Sequence, residues 1–136
     1  MKFKILKDGT IPTKSHKLDC GLDIYLPECF EINPMETIVL GLKLCVSIPE
    51  GCAGMLVPRS STAKKGIISQ TQIIDPGYTG EIHLIITNCS NNKYTFNKND
   101  RICSLVVYNL INPVIEVVEE LENSERGNFG LGSTGK

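Results

Sequence analysis

The sequence contains no tryptophan, only two histidines and few aromatic residues of any kind. No apolar stretch approaches the ~18 residues of a membrane-spanning helix, so no span is expected. Six cysteines stand at 20, 29, 45, 52, 89 and 103, with no CxxC pair and no histidine at ligand spacing. That spacing excludes the common zinc patterns. Charge of one sign is also missing. Fourteen Lys and Arg stand against fifteen Asp and Glu, a formal net charge of −1. A general nucleic-acid or anionic-membrane binder would carry a strong basic excess, whereas a small anionic ligand needs only a few local cations. The opening MKFKILKDGTIP is charged and broken by Gly9 and Pro12. It lacks the apolar core of a secretory signal. Cys20, Cys45, Cys89 and Cys103 lie in or beside apolar runs and are expected to be reduced, mostly buried small residues of a cytoplasmic protein.

What remains is a chain of 136 residues, 41% hydrophobic. That suffices for one domain whose core needs neither disulfide nor structural metal. Runs rich in Ile, Val, Leu, Thr and Tyr recur at 2–7, 22–26, 37–48, 53–57, 67–69, 81–88, 93–96, 102–110 and 114–120. Gly, Pro, Asn and Asp punctuate them, which is the pattern of many short strands in a sandwich or jelly roll. Only residues 61–65 read as helix, for a turn or two, with Ser60 or Ser61 as candidate cap. Residues 124–136 hold four glycines and little to bury. They are expected to form a mobile arm that orders only against something else.

Three segments carry candidate chemistry. In Asp75-Pro76-Gly77-Tyr78, Pro at the second place and Gly at the third favour a type II turn. Asp75 is then either an Asx-turn residue or a carboxylate that can take a proton from water. In Pro58-Arg59-Ser60-Ser61-Thr62, hydroxyls at a helix start beside an arginine make either a phosphate cradle or a simple cap. Arg126-Gly127-Asn128-Phe129-Gly130-Leu131-Gly132-Ser133-Thr134-Gly135 is either a glycine-rich loop that approaches phosphates or a disordered tail. It follows no strand and opens no helix, so neither a Rossmann loop nor a P-loop is supported.

Together and in this order, the segments resemble the trimeric dUTPase family. Cys20-Gly21-Leu22-Asp23-Ile24-Tyr25 is similar to its first motif and Pro58–Ala63 to its second. Ile73-Ile74-Asp75-Pro76-Gly77-Tyr78-Thr79-Gly80-Glu81 resembles the third, Asn99-Asp100-Arg101-Ile102-Cys103 the fourth, and the segment from Arg126 to Gly135 the fifth. The resemblance implies an all-β antiparallel jelly roll with one short helix. Residues 1–123 would form the domain, and 124–136 a mobile arm closing the active site. It implies a homotrimer with shared sites that hydrolyses dUTP to dUMP and pyrophosphate, using Mg²⁺, limiting uracil in DNA and supplying dUMP for dTTP synthesis.

By the same resemblance Asp75 is the base that orients and deprotonates the water attacking the α-phosphorus. Tyr78 packs on deoxyribose and leaves no space for a ribose 2′-hydroxyl. The backbone of a hairpin from Ser69 through Ile74 to Asp75 reads the uracil edge. Arg59, Ser60 and Ser61 hold phosphate oxygens, and Asp23 holds the metal through water. Arg126, Gly132, Ser133 and Thr134 close over the triphosphate.

Three departures stand out. Leu131 occupies the place where the family has an aromatic that stacks on uracil, with Phe129 two residues earlier; either Leu131 caps the base by apolar contact, or Phe129 does so in a shifted loop, or stacking is weak. Ser104 replaces a longer glutamine, and Arg101 beside it is expected to pair with a carboxylate such as Asp100 or one from a neighbouring subunit. The sister activity, dCTP deamination, uses a glutamate ten residues after the turn aspartate. Ile85 stands there, so the proton transfers to a cytosine ring lack their agent. A family-fold protein that chiefly binds a regulatory partner is the remaining alternative. His16 and His83 are expected at the surface or in packing.

Overall fold

A computed structural model describes residues 1–128. Eleven short strands and one helical turn follow in the order β1 (Lys2–Ile5), β2 (Gly21–Tyr25), β3 (Phe30–Ile32), β4 (Thr37–Gly41), β5 (Leu44–Ser47), β6 (Cys52–Pro58), α1 (Ser60–Ala63), β7 (Ile67–Ser69), β8 (Gln72–Ile74), β9 (His83–Asn88), β10 (Tyr94–Phe96) and β11 (Arg101–Asn109). Every pairing between them is antiparallel. The expected all-β jelly-roll class is the observed one.

The spine is β11, whose sequence RICSLVVYN is largely apolar, with Ile102, Val106 and Val107 β-branched. Such a run suits a central strand flanked on both edges. It lies between β2 and β6, and β8 extends that sheet beyond β6. The second sheet has the order β4-β9-β7. In β9, HLIITN, alternation sends Leu84, Ile86 and Asn88 inward. Ile24, Leu56, Ile74, Ile102 and Leu105 of the first sheet meet Ile67, Leu84 and Ile86 of the second in one buried cluster. Each such side chain contributes about 1.5–3 kcal/mol of apolar burial, which makes this cluster the main reason the sheets stay face to face.

Local chemistry moved some boundaries. The run at 37–48, read as one strand, is divided into β4 and β5 by Lys43, which has a left-handed φ of 54°. That conformation is costly for a residue with a side chain. Here Glu81 offsets the cost, since its Oε1 accepts the Lys43 backbone N–H at 3.0 Å. The same Glu81 oxygen lies where a Cβ on Gly41 would stand, 2.5 Å away. Hydrogen bonding from Lys43 lowers the Glu81 pKa, against the upward push of burial. No strand forms at 114–120, contrary to expectation. Ile111, Val114, Ile115 and Val117 lie exposed there, paired with no strand among the described residues.

The six cysteines are all free, but only Cys45 and Cys103 are buried. Cys20 and Cys89, expected inside, are exposed because they fall just outside the ends of β2 and β9. Burial, helped by the Asp23 charge, pushes the Cys103 thiol up to about 12, so it stays protonated. Among the described residues no helix is long and apolar enough to cross a membrane.

Asn88 is the core's buried polar residue with the most partners. Its Nδ2 donates to the carbonyls of Ile32, Asn33 and Asn92. Its Oδ1 accepts from the backbone and hydroxyl of Ser90. One amide thus ties the β3–β4 connection to the β9–β10 loop. Asn88→Ala strands several of these groups and is expected to cost about 3 kcal/mol, read as a lower denaturant midpoint at unchanged slope.

Candidate functional site

The chain crosses from one sheet to the other between β7 and β8. β7 pairs with β9, while β8 pairs with β6. Residues 69–75 therefore form a corner rather than the expected hairpin. Directly after β8 comes the expected turn: the Tyr78 backbone N–H donates to the Asp75 carbonyl at 3.2 Å, and Gly77 has φ +90°. Those values are those of a type II turn, in which the third position favours glycine.

The turn holds Asp75 exposed, with no ion pair or hydrogen bond to its carboxylate among the described residues. Tyr78 folds back so that its hydroxyl donates to the Glu81 carbonyl at 2.8 Å. Gly80 permits this, since a Cβ there would lie 2.5 Å from the Tyr78 hydroxyl oxygen. Tyr78 remains 46% exposed, an aromatic face turned toward solvent. A cleft of about 220 Å³ opens beside it, lined by Leu56, Gln72, Ile74, Asp75, Tyr78 and His83 among others. Ile74 is buried and paired with Gly54. Ser69 lies on β7, its hydroxyl donating to the Gln70 carbonyl at 3.0 Å, and is not among the residues lining this cleft.

Gln72 is the residue that the motifs passed over. Its Nε2 donates to the His83 carbonyl at 2.7 Å, and its Oε1 accepts the Ile85 N–H at 2.8 Å. The available signal was a polar residue opening a short run of isoleucines. His83 is exposed, and its Nδ1 lies 3.0 Å from the Glu81 carbonyl. Ile85 leaves this part of β9 without a carboxylate side chain.

A second constellation is centred on Asp23, on β2 and only 8% exposed. Its Oδ2 receives the Arg101 guanidinium at 2.9 Å and the Ser15 hydroxyl at 3.0 Å. Its Oδ1 has the Arg59 Nε at 3.3 Å and the Ser104 hydroxyl at 3.3 Å. Burial pushes its pKa up, but the Ser15 bond and the two arginines outweigh it, so the net shift is downward. Arg101 thus pairs with Asp23 rather than Asp100. Ser104, facing Asp23 across the β2–β11 ladder, spends its hydroxyl on the carboxylate. A β-bulge between Arg101 and Cys103 sets this arrangement. The carbonyl of the bulged Ile102 accepts the Arg59 backbone N–H at 3.1 Å and the buried Thr62 hydroxyl at 3.1 Å. Those two bonds fix the start of α1.

The cap of α1 is Arg59, with no side-chain capping bond, and not Ser60 or Ser61. Both serines are exposed. A polar cleft of about 310 Å³ is lined by Arg59, Ser61, Thr62, Lys65, Asn99 and Arg101 among others. It shares no lining residue with the Asp75 cleft. Arg126 lies on the exposed segment after β11. Phe129, Leu131, Gly132, Ser133 and Thr134 lie outside the described residues.

The metal expectation meets a specific obstacle. A carboxylate offers about four lone-pair directions. At Asp23 four donors already approach the two oxygens. Among the described residues no three His, Cys, Asp or Glu side chains converge on one point. The described residues offer no direct protein cage for an ion, and a water-held ion at Asp23 would have to displace one of these four donors.

Comparison with known proteins follows this geometry. The family profile described as dUTPase matches residues 7–135. The deoxyuridine 5′-triphosphate nucleotidohydrolase of Clostridioides difficile is 36% identical over 97% of this chain and 94% of its own. The human mitochondrial nucleotidohydrolase is 34% identical over 98% of this chain, which spans 53% of that relative's length. The Staphylococcus bacteriophage 80alpha dUTPase, solved with dUpNHpp, superposes with a TM-score of 0.92 at 32% identity, covering 99% of this chain and 98% of that one. A mutant dUTPase from phage phi11 of S. aureus, described as revealing the coordination of a structural Mg(II) ion, has a TM-score of 0.84 at 27% identity over 90% of this chain and 98% of its own.

The Asp23 cluster generates a pH signature. A carboxylate held below its unfolded value of about 3.9 stabilises the fold above that pH, and the contribution is lost as pH falls through the lower folded value. Asp23→Asn removes it at all pH values. The variant is expected to lose about 1–3 kcal/mol at pH 7, nearer the lower figure because both arginines are partly exposed. Melting curves should show the gap between wild type and variant closing below about pH 4.

Proposed function

Since the chain belongs to the dUTPase family, we propose that it hydrolyses dUTP to dUMP and pyrophosphate, with Asp75 as the base that takes a proton from the attacking water. The observation that carries this reading is the unpaired Asp75 carboxylate at the head of a type II turn, on the rim of the cleft it shares with Tyr78. The water oxygen bonds to the α-phosphorus as the bond from that phosphorus to the bridging oxygen breaks. The water's proton passes to Asp75, and pyrophosphate leaves. Placement and charge stabilisation do most of the work in such displacements.

The remaining roles follow the chemistry of each side chain. Tyr78, held by its bond to the Glu81 carbonyl, packs on deoxyribose and excludes a 2′-hydroxyl. Arg59, Ser60 and Ser61 bind phosphate oxygens, with Arg59 oriented by Asp23. Ile74 and the neighbouring backbone face the base, with Ser69 just before the corner. Arg126, Gly132, Ser133 and Thr134 close over the triphosphate, and Phe129 or Leu131 caps the uracil. Mg²⁺ arriving with the triphosphate would be held by phosphate oxygens and water, and would supply shielding of their charge. Asp23 is better read as the anchor of two arginines than as a metal group. Six free thiols suit a reducing, cytoplasmic setting.

Two clefts with no common lining residue support a site completed between copies of the chain, in a homotrimer. The exposed apolar residues of 111–121 support the same reading. Deamination of dCTP is disfavoured because Ile85 supplies no proton carrier on β9.

Three measurements test these roles. Asp75→Asn is expected to lower kcat on dUTP by about 10²–10⁴-fold while dUpNHpp still binds; an active variant removes Asp75 from the mechanism. Pyrophosphate should appear from dUTP and not from UTP, and no ammonia from dCTP. Deletion of 126–136 should leave a trimer by sedimentation, with its melting temperature retained and little turnover; an unfolded product would make the arm structural instead.

A further inference from the structure

Where the two sheets part, β9 is left with half an edge. On one side β4 accompanies it from His83 to Thr87. On the other, the β7 ladder spans Ile86 to Asn88, and a last bond runs from the Gln70 N–H to the Ile85 carbonyl at 3.0 Å. Past that point the chain has moved into the other sheet. The Ile85 N–H and the His83 carbonyl are left without a ladder partner, and His83 lines the Asp75 cleft. Unpaired, such groups are costly. The Gln72 carboxamide meets both, donating at 2.7 Å and accepting at 2.8 Å.

A carboxamide presents an N–H and an adjacent C=O. The N3–H and C4=O of uracil form the same donor–acceptor edge. We infer that Gln72 is a built-in occupant of the base-reading notch, which uracil displaces to bond the His83 carbonyl and the Ile85 N–H, so that Gln72 sets the affinity for the base. This rests on the dUTP reading of the cleft.

Three observations meet here. The notch belongs to the same cleft as Asp75 and Tyr78. Its two groups are backbone, fixed by β9 and hence preorganised. Gln72 is half-buried at the start of a short strand, and its carboxamide can turn out to water, exchanging two protein hydrogen bonds for two water bonds. The notch also discriminates. Cytosine N3 is an acceptor and would face the His83 carbonyl. Its own donor–acceptor pair, N4–H and N3, lies one atom further along the ring. Tyr78 against the sugar and Asp75 at the α-phosphate set the register, so that slide is not accommodated. The carboxamide keeps the unliganded notch satisfied, and every pyrimidine must first displace it, which lowers apparent affinity.

The test uses the full chain and dUpNHpp. Calorimetry on Gln72→Ala should give roughly 5- to 50-fold tighter binding, the yield of removing two competing hydrogen bonds. With dUTP the gain should fall on KM rather than kcat, as expected for a ground-state competitor. Unchanged or weaker binding by a variant with normal melting behaviour overturns the inference; a packing role alone would produce that result. Should Gln72→Ala fail to fold, NMR of the wild type decides. The Gln72 side-chain amide resonances, assigned through Gln72→Glu, should move to solvent-like positions with dUpNHpp and stay in place with pyrophosphate alone. Resonances that stay in place with dUpNHpp bound overturn it. A wild type that binds dUpNHpp but releases no pyrophosphate from dUTP would instead sink the hydrolase reading, leaving the notch measurement to stand or fall by itself.

Discussion

Between Ser69 and Gln72 the chain leaves the three-stranded sheet and enters the four-stranded one. Everything distinctive about the Asp75 cleft follows from that change of partner. Two layers joined by a crossing strand must separate at the crossing, and separation leaves a gap lined by backbone edges. The gap is shallow because Leu56, Ile74 and Ile82 fill its floor from the core side. It is polar at one wall because β9 loses its ladder partner before β8 begins. The type II turn then returns the chain across the mouth and sets Asp75 and Tyr78 there. A loop carried by two rigid strands thus holds the Asp75 carboxylate in place without burying it.

The Asp23 cluster obeys a different constraint, that of burying charge. A carboxylate only 8% exposed is tolerable when its oxygens are fully engaged, and here two arginines and two hydroxyls engage them. The four partners come from the loop before β2, from the β6–α1 junction and from β11. One ionised side chain therefore ties together elements far apart in the chain. The bulge at Ile102 adds a second tie, since its carbonyl holds both the Arg59 backbone and Thr62. Arg59 is fixed at two points, through its backbone and its guanidinium. A positioned guanidinium loses less freedom when it meets an anion than a free one does.

Much of this was legible in the residues. The largely apolar runs at 102–107 and 84–86 mark β11 and β9 as strands. Pro76 and Gly77 state the turn type, and the geometry agrees at Gly77. Other features had no local signature. Lys43 in a left-handed conformation is stabilised by Glu81, thirty-eight residues away, so the division of the 37–48 run could not be read nearby. Arg59 displaced the serines as helix cap because the Ile102 carbonyl, set by a bulge, holds its backbone. Cys20 and Cys89 fell outside the core because the strands beside them end one residue short. The segment 114–120 has the composition of a strand but pairs with no edge among the described residues.

Gln72 sits between these two kinds of legibility. Composition makes it unremarkable, a polar residue at the start of a three-residue strand. Topology gives it a task, because the edge that β9 loses at the crossing needs a donor and an acceptor. Any group with an N–H beside a C=O can supply both. A peptide from a neighbouring strand would do so, as would a side-chain amide or an imide ring. A sheet that diverges at a controlled place thus makes a pyrimidine reader from ladder chemistry alone, without a dedicated recognition side chain. In this chain the same geometry that exposes the reading edge also brings a carboxamide within reach of it, so affinity for the base and integrity of the empty cleft are set by one residue.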